Sequence, residues 1–373
     1  MRSKKKFFSL VLILAGLFLS SSAHSQEDET PLFTTVAPDA LIVLDLSGSM
    51  RWTPAGERMY TQSANSCDSN TAPFYAENAT GRKACDIDPY AASGVPRFSD
   101  ASCSGPYYRT SDTGHTTNCS RLAIAKRAIF DMLDDNNDGT INSSDEQNLN
   151  IRFGYMRFYG CSGDDTGGDY GSGCNTLVRA INSKYSRIYC NSSSSCTITS
   201  SASPSVNYES ASGGTPLSAA LHEAKLYLDA HKAADAAAAC RQKFVILITD
   251  GADTYACSGN GSEDQTDQYK RRRATVAKAK ALADAGYKVF VVGFGSPMPH
   301  WARNTLNWAA FHGGTDNPLV GNSGDTTAYD PSLMTPCQVD TTSHHDIDGD
   351  GDHYFATSND PGEIPLSGYA FLA

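Results

Sequence analysis

The sequence predicts an α/β protein built on a doubly wound, mainly parallel sheet that carries two disulfide-rich insertions. Three apolar runs, Ala40-Leu-Ile-Val-Leu-Asp45, Phe244-Val-Ile-Leu-Ile-Thr249 and Tyr287 to Phe294, are continuous rather than alternating, as strands buried on both faces must be. Segments with apolar residues at helical spacing alternate with them, the rhythm of strands that return to one sheet as parallel neighbours. In such sheets ligands gather at the carboxyl ends of strands, so the residues just after each run are the first candidates for chemistry.

The elements follow in chain order. Residues 1–25 read as an export signal: a basic stretch to Lys6, an apolar run from Phe7 to Leu19, and a small-residue end at Ala23-His24-Ser25. That run is too short to cross a bilayer as a mature helix, and no other approaches the required length. A polar, acidic linker covers residues 26–39, and the rest, 40–373, reads as one domain. Residues 51–120 form a first Ser-, Asn- and Gly-rich insertion. Arg121 to Leu133 is a helix, with Leu122, Ala125, Ile129 and Met132 on one face, and Ile151 to Tyr159 alternates as a strand. A second insertion, about 160–212, includes the low-complexity stretch Asn191 to Ser205. Thr215 caps a helix that has Pro216 at its first position and runs to about Ala233. Asp264 to Ala285 and His300 to Phe311 are the remaining helices. Trp301 and Trp308, seven apart on the latter, belong to the core, and Lys270-Arg-Arg-Arg273 is a solvated face.

The chain of 373 residues is long enough for a sizeable core. Its 41 Asp+Glu against 30 Lys+Arg give a net charge of -11, and nearer -15 once the four basic residues of the leader are gone. Nucleic acid is disfavoured as a partner, since phosphate binding needs a basic footprint. All 11 Cys lie beyond the leader, with no CxxC or CxxCH motif, so disulfides in an oxidising compartment explain them better than thiolate metal or haem. Neighbour pairing gives Cys67–Cys85, Cys103–Cys119, Cys161–Cys174, Cys190–Cys196 and Cys240–Cys257, leaving Cys337 over.

Three separated motifs fall at the strand ends: Asp45-Leu-Ser47-Gly-Ser49, Gly213-Gly-Thr215-Pro-Leu217 and Thr249-Asp250-Gly251. Mg²⁺ or Mn²⁺ takes hard oxygen ligands in near-octahedral geometry. Asp45, Ser47 and Ser49 can present a carboxylate and two hydroxyls from one turn, Thr215 a further hydroxyl, and Asp250 a hold on a metal-bound water. Hydroxyl ligands leave such an ion under-neutralised, able to take an acidic group from a partner. Without a metal, the same residues are a Ser-rich turn, a helix cap and an Asp-Gly turn. The three motifs together resemble the von Willebrand factor type A domain, a Rossmann-like fold whose adhesion site has the pattern DxSxS, a distant Thr and a distant Asp. The resemblance covers roughly residues 40–360 and implies that a partner's carboxylate completes the metal site.

A second motif is an EF-hand-like loop over 134–145. Asp134, Asn136, Asp138, Asn142 and Asp145 fall at positions 1, 3, 5, 9 and 12, with Thr140 at 7, Gly139 at 6 and Ile141 at 8. Calcium needs six to eight oxygens, and the Gly permits the turn that gathers them. Asp145 stands where EF-hands carry Glu and resembles a dockerin loop; its shorter side chain offers the ion less. The run Asp346, Asp348, Asp350, Asp352 begins in the same way but has His353 and Thr357 at positions 8 and 12, so it is either a second calcium site or an acidic turn. His344 and His345 beside it read as surface residues.

Among von Willebrand A proteins, Leu-Asp45-Leu-Ser-Gly-Ser-Met50, Phe244-Val-Ile-Leu-Ile-Thr-Asp-Gly251, Val289-Phe-Val-Val-Gly-Phe-Gly295, Leu306-Asn-Trp-Ala-Ala-Phe-His-Gly-Gly-Thr-Asp316 and the ending Asp352-His-Tyr-Phe-Ala-Thr357 resemble the amino-terminal domain of the PilC/PilY proteins. Those are tip-located adhesins and biogenesis factors of type IV pili. The resemblance implies an exported protein of the periplasm, cell surface or pilus tip, acting in pilus assembly, adhesion or twitching motility. Its partners would be minor pilins or a host or surface receptor. The family's carboxy-terminal propeller has no counterpart here: the chain stops at Gly368-Tyr-Ala-Phe-Leu-Ala373, where a closing helix is expected. A separate chain supplying that helix and the partner of Cys337 would complete a split member. Two other readings stand beside it, a secreted calcium-stabilised adhesin or scaffold unrelated to pili, and a metal-assisted hydrolase. Against the hydrolase, the sequence has no GxSxG, HExxH or Walker motif and no evident general base beyond Asp250, so a non-enzyme is expected.

Overall fold

The computed structural model describes residues 36–51, 121–159, 177–259, 261, 268–294, 298, 300–338, 344–345, 355–356 and 359–372. The leader, nearly all of the linker and the first insertion, the run Asp346 to Asp352 and the cysteines from Cys67 to Cys174 lie outside the described residues.

The continuous apolar runs form the centre of a six-stranded sheet, made of β1 (Asp39–Asp45), β2 (Arg152–Phe158), β3 (Leu177–Arg179), β4 (Lys243–Thr249), β5 (Lys288–Gly293) and β6 (Phe371–Leu372). They are ordered β6-β5-β4-β1-β2-β3, all parallel except β3, which runs antiparallel to β2. This is the doubly wound order 3-2-1-4-5-6, whose direction of winding reverses between the first and fourth strands. Asp39 stands beside both Arg152 and Lys243, and the register holds to the carboxyl ends, where Asp45 faces Phe158.

Alternation along β1 shows why the runs had to be apolar throughout. Leu41 and Val43 enter one core, and Ala40, Ile42 and Leu44 the other. The first core is closed by α4 (Leu217–Ala234), α5 (Gln268–Asp284) and α6 (His300–His312), through residues such as Leu221, Val276 and Trp308. The second is closed by α1 (Arg121–Leu133) and α3 (Tyr185–Cys190), through Ile129, Phe130 and Tyr189. Between α1 and β2, a short α2 (Ser143–Leu149) follows the acidic loop. Burying a large apolar side chain contributes about 1.5–3 kcal/mol, so two full cores fix the sheet's position between the layers.

The strand and helix expectations stand to within a few residues, with Trp301 and Trp308 both buried. Five expectations are corrected. First, Thr215 does not cap α4; Pro216 is the residue before the helix, and the Ser218 amide donates instead to Asp253 from a distant loop, at 2.6 Å. Second, Arg271, Arg272 and Arg273 are not a solvated face, since all three are buried. Arg272 pairs with Asp360 and lies over the Trp301 ring, and Arg273 lies over Tyr269. Third, the later part of the second insertion is integral to the fold. It supplies β3 and α3, and Asn207 and Glu209 carbonyls accept from the buried Lys126 ammonium of α1.

The fourth correction concerns cysteine. Cys257 bonds to Cys337, so Cys337 needs no second chain, and among the described cysteines Cys240 is a free, exposed thiol. Cys190 and Cys196 are buried free thiols, both directed at the Ser186 carbonyl. The fifth concerns the apolar end, expected only as the place where a closing helix is missing: Phe371 and Leu372 pair beside Val292 and Gly293 and close the sheet's edge as a short strand. Upstream, His344–His345 and Phe355–Ala356 form a two-stranded antiparallel ladder on either side of the Asp346 to Asp352 run.

Candidate metal centres

The winding reverses between β1 and β4, and the three separated motifs meet at the carboxyl ends of these two strands. Where β1 ends, the Ser47 amide donates to Asp45 Oδ1 at 2.7 Å, which turns the chain into a single 3₁₀ turn, Gly48–Arg51. The Ser47 and Ser49 hydroxyls are 3.1 Å apart. Ser49 Oγ donates to Asp250 Oδ1 at 2.8 Å, and Thr249 Oγ1 donates to Asp45 Oδ2 at 2.7 Å. These bonds cross-link the ends of two neighbouring strands.

Thr215 arrives by backbone clamps. The Gly48 amide donates to the Gly213 carbonyl at 2.8 Å, drawing the 213–215 loop onto the serine turn. Thr215 and Thr254 are tied both ways, Thr215 N to Thr254 Oγ1 at 2.7 Å and Thr254 N to Thr215 O at 2.9 Å. Gly214 has to be glycine, because a Cβ there would lie 2.4 Å from the Gly261 carbonyl oxygen. Asp253 organises the clamp: besides the start of α4, its carboxylate accepts from the amides of Tyr255 and Ala256, each at 2.8 Å.

All five sequence-derived residues are buried, Asp45 and Asp250 completely. Burial, and then the neighbouring Asp250 carboxylate, push the Asp45 carboxyl up to about 7. One cation meets this pair of carboxylates in the described contacts: Arg121, the first residue of α1, whose NH1 donates to Asp250 Oδ2 at 2.8 Å. Two buried carboxylates with clustered hydroxyls form a hard oxygen donor set, which suits Mg²⁺ or Mn²⁺ rather than a soft metal.

The 134–145 loop joins α1 to α2 and folds as its sequence asks. Asp134 Oδ2 accepts from the Gly139 amide at 2.9 Å, Asn136 Oδ1 from Asp138 N at 3.0 Å, and Asp138 Oδ1 from Thr140 N at 2.8 Å. Gly139 holds φ +83°, where a side chain would be strained. Asn142 and Asp145 form a reciprocal capping box at the start of α2, with Asn142 N donating to Asp145 Oδ2 at 2.7 Å. Thr140–Ile141 pairs antiparallel with Cys196–Thr197, pinning the loop to the second insertion. Asp134 Oδ1 is buried without a hydrogen-bond partner, and burial with Asp138 and Asp145 nearby raises its carboxyl. An orphaned buried carboxylate oxygen facing further acidic groups fits a Ca²⁺ ligand set.

A third constellation was not read from the sequence. Ligand atoms of Asp39, His231 and Asp235 lie within 4.8 Å of one another at the opposite edge of the sheet. Lys243 bridges both carboxylates, at 3.3 and 2.8 Å, while Arg152 pairs with Asp39 and Arg241 with Asp235. With that much positive charge in place, the cluster is an ion-pair network that ties the starts of β1, β2 and β4 to the end of α4.

Thr249, already part of the third motif, adds a hydrogen bond to Asp45, and Arg121 and Asp253 join the strand-end site from outside the three motifs. Thr249 and Asp253 flank Asp250 closely enough to be found by their spacing. Arg121 carries no local signal at all.

No protein-family model matches the chain, and no curated protein matches it. Among solved structures it is similar to an aerotolerance-related membrane protein from Bacteroides fragilis, at 17% identity over 70% of this chain and 69% of that one, with a TM-score of 0.31. It is also similar to the manganese-loaded TRAP protein of Plasmodium vivax, at 13% identity over 74% and 63%, with a TM-score of 0.32. A third is the pilus adhesin SpaC of Lactobacillus rhamnosus GG, at 15% identity over 74% of this chain and 28% of that one, with a TM-score of 0.37.

Proposed function

We propose that the chain is an exported, metal-dependent adhesion module of the von Willebrand A type. Asp45, Ser47, Ser49, Thr215 and Asp250 hold Mg²⁺ or Mn²⁺, and a partner's carboxylate completes the site. The observation that carries this reading is the meeting of three sequence-distant motifs at the winding reversal, where the Ser49 hydroxyl donates to Asp250 and the Thr249 hydroxyl to Asp45, both carboxylates fully buried. Bound there, a divalent ion supplies Lewis acidity toward an anionic group. The protein's own residues orient the oxygens, and Asp250 would hold a metal-bound water.

Loop 134–145 holds Ca²⁺ through Asp134, Asn136, Asp138, Thr140, Asn142 and Asp145, as a structural element joining α1, α2 and the second insertion. The Cys257–Cys337 bond supports export to an oxidising compartment. No helix among the described residues is long and apolar enough to cross a membrane. The PilC/PilY-like motifs favour a type IV pilus setting, with minor pilins or a surface receptor as partners. A non-enzymatic role is favoured because Asp250, the candidate base, has one oxygen accepting from the Ser49 hydroxyl and the other from Arg121, leaving it a poor open base.

The test is retention of the full chain on a poly-glutamate surface in Mg²⁺ or Mn²⁺, against the same protein in chelator and against Asp45→Ala. Metal-dependent retention lost in Asp45→Ala supports the reading. Equal retention in all three sinks it.

A further inference from the structure

We propose that the sheet edge beside β3 carries an anion-binding pocket for a sulfate or phosphate ester on a small polar body, with Arg187, Lys184 and Arg179 holding its oxyanion. This site does not depend on the strand-end metal centre. β3 runs antiparallel to β2, with Arg179 beside Tyr155, and the Asn182 amide then reaches the Phe153 carbonyl. The chain here is heading away from the carboxyl ends of the parallel strands.

Five described residues line an open pocket of about 390 Å³. Arg179 comes from β3, Ser183 and Lys184 from the turn after it, Arg187 from α3, and Ser193 from the turn beyond. None of these side chains is apolar. Small-molecule sites span about 300–1,000 Å³, so there is room for more than a bare ion.

The partners of these cations set them apart. Arg127, Arg152, Arg157, Arg241 and Arg272 each meet a carboxylate. Arg179 donates only to neutral oxygens: the Arg187 and Val178 carbonyls at 3.2 Å each, Asn191 Oδ1 at 2.6 Å and the Pro204 carbonyl at 2.7 Å. Those four bonds fix the guanidinium and leave its charge without a counter-ion. Lys184 Nζ donates to another neutral acceptor, the Ser193 carbonyl, at 3.0 Å and keeps two further N–H groups. The Arg187 guanidinium and the Ser193 hydroxyl have no hydrogen-bond partner among the described residues. Glu146 reaches the start of α3, but it accepts from the Tyr185 amide at 2.9 Å and does not line the pocket.

Burial, and then the Arg187 charge, push the Arg179 guanidinium below its usual range. Arg187 lies in the last turn of α3, where a cation suits the helix dipole. That accounts for one charge and not for the fixed guanidinium lodged beside it. Like charges held so close repel, and an anion between them offsets the repulsion. A guanidinium fork matches two oxygens of a tetrahedral oxyanion, while an ammonium and a hydroxyl can take the others. A carboxylate offers two oxygens and a single charge, so the donor set favours sulfate or phosphate. The wholly polar lining favours a sugar-like carrier over a lipid chain.

Calorimetric titration of the metal-stripped full chain, at pH 8 and low ionic strength without chelator, tests this. The probes are sodium sulfate, sodium phosphate, glucose 6-sulfate and glucose 6-phosphate, with sodium acetate for comparison. The proteins are wild type, Arg187→Met, Lys184→Met and, as a control, Lys280→Met, which removes an exposed cation of α5 paired with Asp284. Arg187 and Lys184 are exposed, and Arg187→Gln replaces the methionine variant if that one does not fold. One site is expected that takes sulfate and phosphate at least tenfold more tightly than acetate, and the sugar esters more tightly than the free ions. Arg187→Met should weaken it at least tenfold and Lys184→Met several-fold, with Lys280→Met unchanged. No binding of any probe, or equal binding in wild type and folded Arg187 variants, overturns the pocket. Sugar esters held no more tightly than the free ions overturn the ester assignment.

Discussion

Asp45 is a fully buried carboxyl beside a second one, and its charge is measurable as pH-dependent stability of the metal-free protein. Burial and the Asp250 carboxylate raise its carboxyl from 3.8 to about 7. A raised acid binds its proton more readily in the folded state than in the unfolded chain. Its contribution is therefore full below the unfolded value and is lost as pH rises toward the folded one. At about 1.4 kcal/mol per pH unit, the interval from 3.8 to about 7 corresponds to about 4 kcal/mol. Urea unfolding of the chelated protein from pH 5 to pH 8, for wild type and Asp45→Asn, compares the buried carboxylate pair with and without the ionisation of Asp45. Asparagine keeps an oxygen for the Ser47 amide and cannot ionise. The wild type should lose roughly 2–3 kcal/mol relative to Asp45→Asn across that range, and Mg²⁺ or Mn²⁺ at pH 8 should restore the wild type alone. Parallel pH profiles for the two proteins would refute the account of Asp45 as a buried, uncompensated carboxylate.

Four further outcomes are expected. Replacing Cys257 and Cys337 together by Ser opens a cross-link spanning 80 residues, which loop-closure entropy values at about 4–5 kcal/mol; a denaturant midpoint insensitive to the change would contradict the intramolecular bond. Asp138→Ala should abolish the rise in Tm that Ca²⁺ gives the wild type, while Asp45→Ala retains that rise. Gly214→Ala drives a Cβ to 2.4 Å from the Gly261 oxygen; it should displace the Thr215 loop and weaken Mn²⁺ binding more than tenfold in calorimetry. Arg272→Met strands the fully buried Asp360, at a cost of about 3–5 kcal/mol in urea unfolding.

The parts legible in the sequence are those whose physics is local. β1, β4 and β5 announce themselves because a strand covered on both faces must be apolar at every position, and each motif residue follows such a run directly. The acidic loop is legible for the same reason: Asp134, Gly139 and Asp145 act on one another within a single turn of chain. What stayed hidden depends on partners far away. Arg121 meets Asp250 only because α1 packs beside the strand ends, and the whole first insertion separates it from β1. Arg271 to Arg273 look like a solvated face until Asp360, near the other end of the chain, is found against Arg272. Pairing each cysteine with its neighbour failed at Cys257, whose partner lies 80 residues on. The terminal Phe371–Leu372 strand was illegible because two residues carry no period; only the open edge of β5 makes them a strand.

The central claim is that two separate cation sites exist, one at the strand ends and one in the 134–145 loop. Calorimetric titration of the metal-stripped full chain with Mg²⁺, Mn²⁺ and Ca²⁺, beside Asp45→Ala and Asp138→Ala, tests it most directly. The account predicts two independent sites: one that takes Mg²⁺ or Mn²⁺ and disappears in Asp45→Ala, and one that takes Ca²⁺ and disappears in Asp138→Ala. Calcium binding alone, untouched by Asp45→Ala, would contradict it and reduce the strand-end constellation to a hydrogen-bonded signature of the fold.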